Sequence, residues 1–90
     1  MIQNDIERLD FQTWRHAIDN NLTGTINCLQ AQIAHLVSGG SIVNVSSIWG
    51  QHGVPRGADH SAAAAGVHAL TRCAAKEFAS RGIRVNAVAV

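Results

Sequence analysis

The residues best equipped for chemistry in this sequence lie between Gly40 and Leu70. A β-branched run, Ser41-Ile42-Val43-Asn44-Val45, ends in the pair Ser46-Ser47. A glycine-rich loop follows, and an alanine-rich stretch opens at His60-Ser61-Ala62-Ala63-Ala64. A hydroxyl at the C-terminal end of a buried strand can donate to a carbonyl oxygen as charge develops on it. Imidazole has an ordinary pKa of about 6.5, so His60 can exchange protons near neutrality unaided, and the neighbouring Asp59 is placed to orient or charge the ring. A strand ending in serines and followed by a small-residue helix is a place where a nucleotide and a reacting carbonyl could sit. The same residues have plainer uses: Ser47 as a polar strand end that satisfies backbone groups, His60 as an inert helix start.

The elements that must position these groups read clearly. Asp10 precedes Trp14, Ile18, Leu22, Ile26, Leu29, Ile33 and Leu36, which recur at spacings of four and three and form one stripe of a long helix over residues 11–38 with a cap in front. Asn20-Asn21-Leu22-Thr23-Gly24 interrupts it with poor helix formers, so a local irregularity is expected there, and Gly39 and Gly40 are expected to end it. Ser41 to Ser47 carries Ile42, Val43 and Val45 with little alternation, the pattern of a short strand buried on both faces of a parallel sheet. Gly50, Gly53, Pro55 and Gly57 mark a loop. A second helix is expected over residues 60–81, with Val67, Leu70, Ala74 and Phe78 on one stripe and almost no side-chain bulk from Ala62 to Gly66. Gly82 is its expected stop, and Ile83 to Val90 alternates into a second strand. The order helix, strand, helix, strand is that of an α/β protein whose second half is one βαβ unit, with at least one strand edge left bare.

Ninety residues allow one domain at most, and a domain this small buries only part of its chain surface. With 47% hydrophobic and 14% charged residues and a net charge of +1, the composition is that of a globular core and excludes a disordered or nucleic-acid-binding chain. No apolar run approaches the roughly 20 residues a membrane helix needs. The start, Met1 to Arg8, lacks the basic flank and apolar core of a leader, and Cys28 and Cys73 sit inside helical patterns, so a cytoplasmic location is expected. His16, His35, His52, His60 and His68 show no metal-ligand spacing, and no metal site is expected. Asn44 and Asn86 read as buried structural asparagines that pin loops to strands.

Three segments together carry a resemblance. Asn21-Leu22-Thr23-Gly24 resembles the N-L-x-G segment of the short-chain dehydrogenase/reductase family, Ser41 to Ser47 its strand before the catalytic serine, and Gly82-Ile83-Arg84-Val85-Asn86-Ala87-Val88 its G-I-R-V-N-x-V strand. They occur in the family's order and spacing, and the likeness covers essentially the whole chain. It implies a partial Rossmann-type, doubly wound parallel sheet over residues 1–90, the second half of an oxidoreductase that moves a hydride between NAD or NADP and a carbonyl or alcohol. The first βα turn with its glycine-rich phosphate cradle is not within these residues.

The resemblance also implies roles. The family's serine falls on Ser47. Its general acid/base, the tyrosine of Tyr-x-x-x-Lys, falls on His60, and the lysine that lowers the phenol's pKa and binds the nicotinamide ribose falls on Ala64. Asn21 matches the asparagine that interrupts the long helix and holds a water in the proton relay. The chain has no tyrosine, and its sole lysine, Lys76, lies roughly 18 Å further along the helix than Ala64. No dehydrogenase activity is therefore expected of the isolated chain, whose binding of NAD or NADP is in doubt. Two alternatives stand beside this reading. One is a pseudoenzyme that pairs with itself or a full-length relative through residues 11–38 and 60–81, which form the family's dimer interface. The other is non-redox acid/base chemistry at His60 on a small-molecule substrate.

Overall fold

The computed structural model describes residues 5–90; residues 1–4, part of the stretch read above as lacking a leader, lie outside the described residues. Asp10 starts the first long helix as its sequence position suggests. One carboxylate oxygen accepts from the Thr13 backbone N–H at 2.8 Å and the other from the Thr13 hydroxyl at 3.0 Å. These bonds stabilise the charged form and hold the Asp10 carboxyl below the ordinary aspartate value. Helix α1 (Phe11–Ile18) runs through a wider π turn (Asp19–Thr23) into α2 (Gly24–Ile33) with helical backbone throughout. The irregularity expected at the Asn20-Asn21 pair is this π turn, where the Gly24 N–H reaches back five residues to the Asp19 carbonyl.

The helix ends at Ile33, short of residue 38. The backbone tightens there, with His35 N–H on the Gln32 carbonyl and Leu36 N–H on that of Ile33, and Leu36 turns in against the core. Gly39, at a φ of 91°, then donates to the carbonyl of Gly82, itself left-handed at 69°. The two glycines meet where both helices hand over to strands. A Cβ on Gly82 would lie 2.6 Å from the Ser38 hydroxyl, which that exposed side chain can relieve by turning, so it is the positive φ that favours glycine there.

Strands β1 (Ser41–Ser46) and β2 (Arg84–Ala89) pair in parallel, Ser41 opposite Arg84 through Ser46 opposite Ala89. Between them run a short helix α3 (Trp49–His52), which the sequence reading placed in a loop, and α4 (Ala58–Phe78), closed by a 3-10 turn at Ala79–Arg81. Ile42, Ile83 and Val85 meet Leu29 and Ala74 in a buried core, with Ile26, Ile33, Leu70 and Phe78 around it. Burying side chains of this size supplies about 1.5–3 kcal/mol each.

The other face of the sheet corrects the expectation of strands covered on both sides. Val43, Val45, Val88 and Val90 are 58%, 70%, 49% and 72% exposed. A near-continuous apolar run suits two covered faces, but α2 and α4 put their apolar stripes on one. Asn44 is half-buried and donates to the Thr71 hydroxyl at 3.0 Å, tying β1 to a helix instead of to a loop, and Asn86 is exposed on the bare face. The small-residue face of α4 is covered from within the chain. Ala63 is fully buried, a Cβ on Gly50 would come within 2.5 Å of the Ala65 nitrogen, and one on Gly66 within 2.7 Å of Leu22. No helix among the described residues is long and apolar enough to cross a membrane.

Candidate functional site

The carboxyl end of β1 is held from both directions. The Ser46 carbonyl accepts the Val90 N–H at 3.0 Å and the Ile48 N–H donates to the Val90 carbonyl at 3.1 Å, so Ser47 is bracketed by two ladder bonds. Its hydroxyl oxygen accepts the Trp49 N–H at 3.1 Å in a local turn that leads into α3. The structural use expected of a polar strand end is therefore present. It occupies an acceptor site of the hydroxyl and leaves its proton free to be donated.

Ser47 lines a cavity of about 350 Å³ together with Asn21, Val45, Ser46, Trp49, His60, Ala64 and Val67. The four residues singled out in sequence, Asn21, Ser47, His60 and Ala64, are thus brought to one cavity from three elements: the π turn, the end of β1 and the first two turns of α4. A larger groove of about 570 Å³ runs along β1 beside α2, from Asn20 to Leu36, and among the described residues its lining holds the Thr25 and Ser41 hydroxyls and the Cys28 thiol but no imidazole or charged side chain. The smaller cavity, where a hydroxyl and an imidazole converge, is the candidate site.

Each polar group in the cavity has a definite allegiance. Asn21 is engaged by its own helix: its amide nitrogen donates to the Ala17 carbonyl at 2.8 Å and its main-chain carbonyl accepts the Thr25 hydroxyl at 2.6 Å. The side-chain oxygen of Asn21 is left. Ser46 donates to the Ala64 carbonyl at 3.2 Å, fastening β1 to α4 beneath the cavity. Ala64 contributes a methyl group and is 7% exposed. Lys76, three turns further along α4, is exposed and lines none of this cavity.

His60 is half-buried and its ring has no hydrogen-bond partner among the described residues. Asp59 does not orient it. At the second position of α4, Asp59 folds onto the helix start: one carboxylate oxygen accepts the backbone N–H of His60 at 2.9 Å, and the other, fully buried, has no partner among the described residues. A carboxylate at a helix N-terminus is favourable in itself, and that geometry turns it from the imidazole. Among the described residues no group of three or more His, Cys, Asp and Glu side chains gathers to hold a metal.

Trp49 was not singled out in sequence. It stands two residues after Ser47 in a stretch that reads as a glycine-rich loop, and the signal for it was a lone large aromatic among small residues. The edge of its indole lies against Gly57 at the start of α4, where a Cβ would come within 3.0 Å of the ring. Trp49 therefore spans from the serine that ends β1 to the helix that carries His60.

Comparison with known proteins gives a consistent result. The family model described as short chain dehydrogenase matches residues 1–90. The short-chain dehydrogenase/reductase aba4 of Botryotinia fuckeliana is 48% identical over 79 residues, covering 88% of this chain and 31% of that protein. The 3-oxoacyl-[acyl-carrier-protein] reductase FabG of Staphylococcus aureus is 46% identical over 88 residues, covering 96% of this chain and 36% of that protein. The chain thus spans about a third of the length of these curated relatives. Among solved structures, carveol dehydrogenase from Mycobacterium avium in complex with NAD superposes with a TM-score of 0.93 at 36% identity, over 97% of this chain and 32% of that one. With three sequence segments, a parallel βαβ unit and a whole-chain family match in agreement, the chain belongs to the short-chain dehydrogenase family.

Proposed function

We propose that this chain is a C-terminal-half segment of a short-chain dehydrogenase/reductase fold that keeps the architecture of a carbonyl-reducing cleft and, as an isolated chain, performs no nicotinamide-dependent hydride transfer. The observation that carries this reading is the lining of the Ser47 cavity, where the family's tyrosine and lysine positions hold His60 and Ala64 and no lysine or arginine is among the described residues that line it. Hydride transfer needs the nicotinamide held within about 3–3.5 Å of its target carbon. A methyl group at Ala64 offers no donor to a ribose, where a lysine would offer three. The residue at the lysine position therefore does not fit the nicotinamide ribose. Following NADH and NADPH absorbance with a panel of ketones and aldehydes tests the reading: no consumption above the protein-free rate is expected, and steady turnover overturns it.

A second reading, acid/base chemistry without a redox cofactor, is favoured by the unpartnered imidazole of His60 beside the free proton of Ser47. It requires that His60→Ala abolish a turnover that the parent chain shows. The third reading, association with a second copy or a full-length relative, keeps residues 11–38 and 60–81 as its surface. The stretch Ala62 to Gly66 contributes less to it than the sequence suggests, since α3 and Leu22 already cover much of that face. Sedimentation of the 90-residue chain as a monomer at micromolar concentration would count against this reading.

A further inference from the structure

The face of the sheet turned away from α2 and α4 has an order of its own. In the register of the strands Val45 stands opposite Val88, with Val43 two residues earlier in β1 and Val90 two residues later in β2. Residues two apart in a strand project to the same side, so the four exposed valines form one diagonal patch. It measures on the order of 400 Å², a size at which exposed apolar surface marks an interaction site. The polar residues of this face gather at the other end, where Ser41 is opposite Arg84 and Asn86 is opposite Val43. No carboxylate stands among the strand residues of the face, and Arg84 is its one cation.

An occupant of this surface must be apolar where the valines are and must keep cations away from Arg84. A second copy meets both conditions on a twofold axis that lies between the two sheets and crosses the strands at the level of Val45 and Val88. The facing strands then run in opposite directions, Val45 of one copy rests on Val45 of the other, and Val88 on Val88. The two Arg84 side chains are carried to opposite ends, roughly 26 Å apart at about 3.3 Å per residue, well beyond the screening length of about 8 Å in physiological salt. An axis along the strands would bring both Arg84 side chains to the same end. Sheets stack in this way about 10 Å apart, with their side chains interleaved. The valines bury about 800 Å² in all, short of the roughly 1,200–2,000 Å² of a stable interface, so pairing is weak and requires concentrations in the range of about 0.1–1 mM.

We propose that the valine face is a self-association surface on which a second copy of this chain docks, sheet against sheet, with the facing strands antiparallel. The pairing uses neither the Ser47 cavity nor the helices of residues 11–38 and 60–81. Its failure leaves the statement about hydride transfer and the reading of helix pairing where they stand, and theirs leaves it.

The test is sedimentation equilibrium of the 90-residue chain from about 10 µM to about 1 mM, joined to cross-linking. A monomer at the lowest concentration that moves toward a dimer at the highest is expected. Val88→Lys sets two ammonium groups face to face and should weaken the pairing at least about tenfold. With the exposed Cys28 and Cys73 replaced by serine, Val88→Cys should give an interchain disulfide under a mild oxidant, and Arg84→Cys should not. A chain that stays monomeric throughout, assemblies that grow past the dimer, a dimer indifferent to Val88→Lys, or a disulfide from Arg84→Cys overturns the proposal. Should Val88→Lys fail to fold, the pair of cysteine variants decides the question.

Discussion

At Ser47 one oxygen serves two ends. Accepting the Trp49 N–H makes the hydroxyl part of the turn into α3, and the same bond aims its remaining proton elsewhere. Ser47→Ala should therefore cost about 0.5–1.5 kcal/mol of stability, the net worth of one partly buried hydrogen bond. His60→Ala removes a side chain whose ring has no protein partner and should cost less than Ser47→Ala in the same urea titration. The reverse order would mean that the imidazole is held by contacts of its own. Residue types and spacing were sufficient to bring Asn21, Ser47, His60 and Ala64 to one place, because the family's segments fix their positions on the elements. Local side-chain geometry was not legible in that way. Asp59 lies beside His60 in the chain, yet its carboxylate turns to the backbone, and sequence adjacency says nothing about which of two nearby donors a carboxylate takes.

At the scale of elements, periodicity identified both long helices and both strands, and the Asn20-Asn21 pair marked where the first helix would loosen. Helix ends were less legible. Leu36 keeps the helical stripe in sequence but reaches the core from a turn, since an apolar residue can be buried at the same place from either conformation. The short helix α3 was hidden by its one glycine and those that follow it, and Gly50 shows why: it is selected by the closeness of α4, not by a need for a loop. Gly50→Ala should lower stability by about 1–3 kcal/mol because the backbone of Ala64 and Ala65 cannot yield as a side chain would. A denaturation midpoint unchanged from the parent would show that α3 is free to move away. The first helix makes a second, pH-linked prediction. Asp10 has a folded pKa below its unfolded one, so its stabilisation is present above the unfolded value and fades as pH falls through the folded value. Asp10→Ala should remove that acid-sensitive part of the unfolding profile, and α1 amides should exchange faster in the variant at neutral pH.

For the molecule as a whole, the layers are unequal. Two strands carry helices on one face while four valines remain exposed on the other. The Cα radius of gyration is 14.4 Å, against about 12 Å for a compact chain of this length. Strand composition had implied cover on both faces, which is the requirement of the parallel sheet to which such strands belong; the exposed face is the part of that requirement these residues do not meet by themselves. Val45→Lys should accordingly reduce the binding of an apolar dye such as 1-anilinonaphthalene-8-sulfonate without loss of stability, and unchanged dye fluorescence would place the apolar surface elsewhere. The inward face behaves oppositely: Leu29→Ala, in the core, should cost about 2–5 kcal/mol, enough to unfold a chain of this size.

The cavity around Ser47 carries a methyl group at Ala64 and an imidazole at His60. The most direct measurement is the initial rate of NADPH or NADH oxidation by the purified chain with an aromatic ketone at saturating concentration. The rate should equal that of the protein-free control, and should remain so across pH 5 to 8. A rate that rises in proportion to protein concentration and falls on His60→Ala would contradict the account.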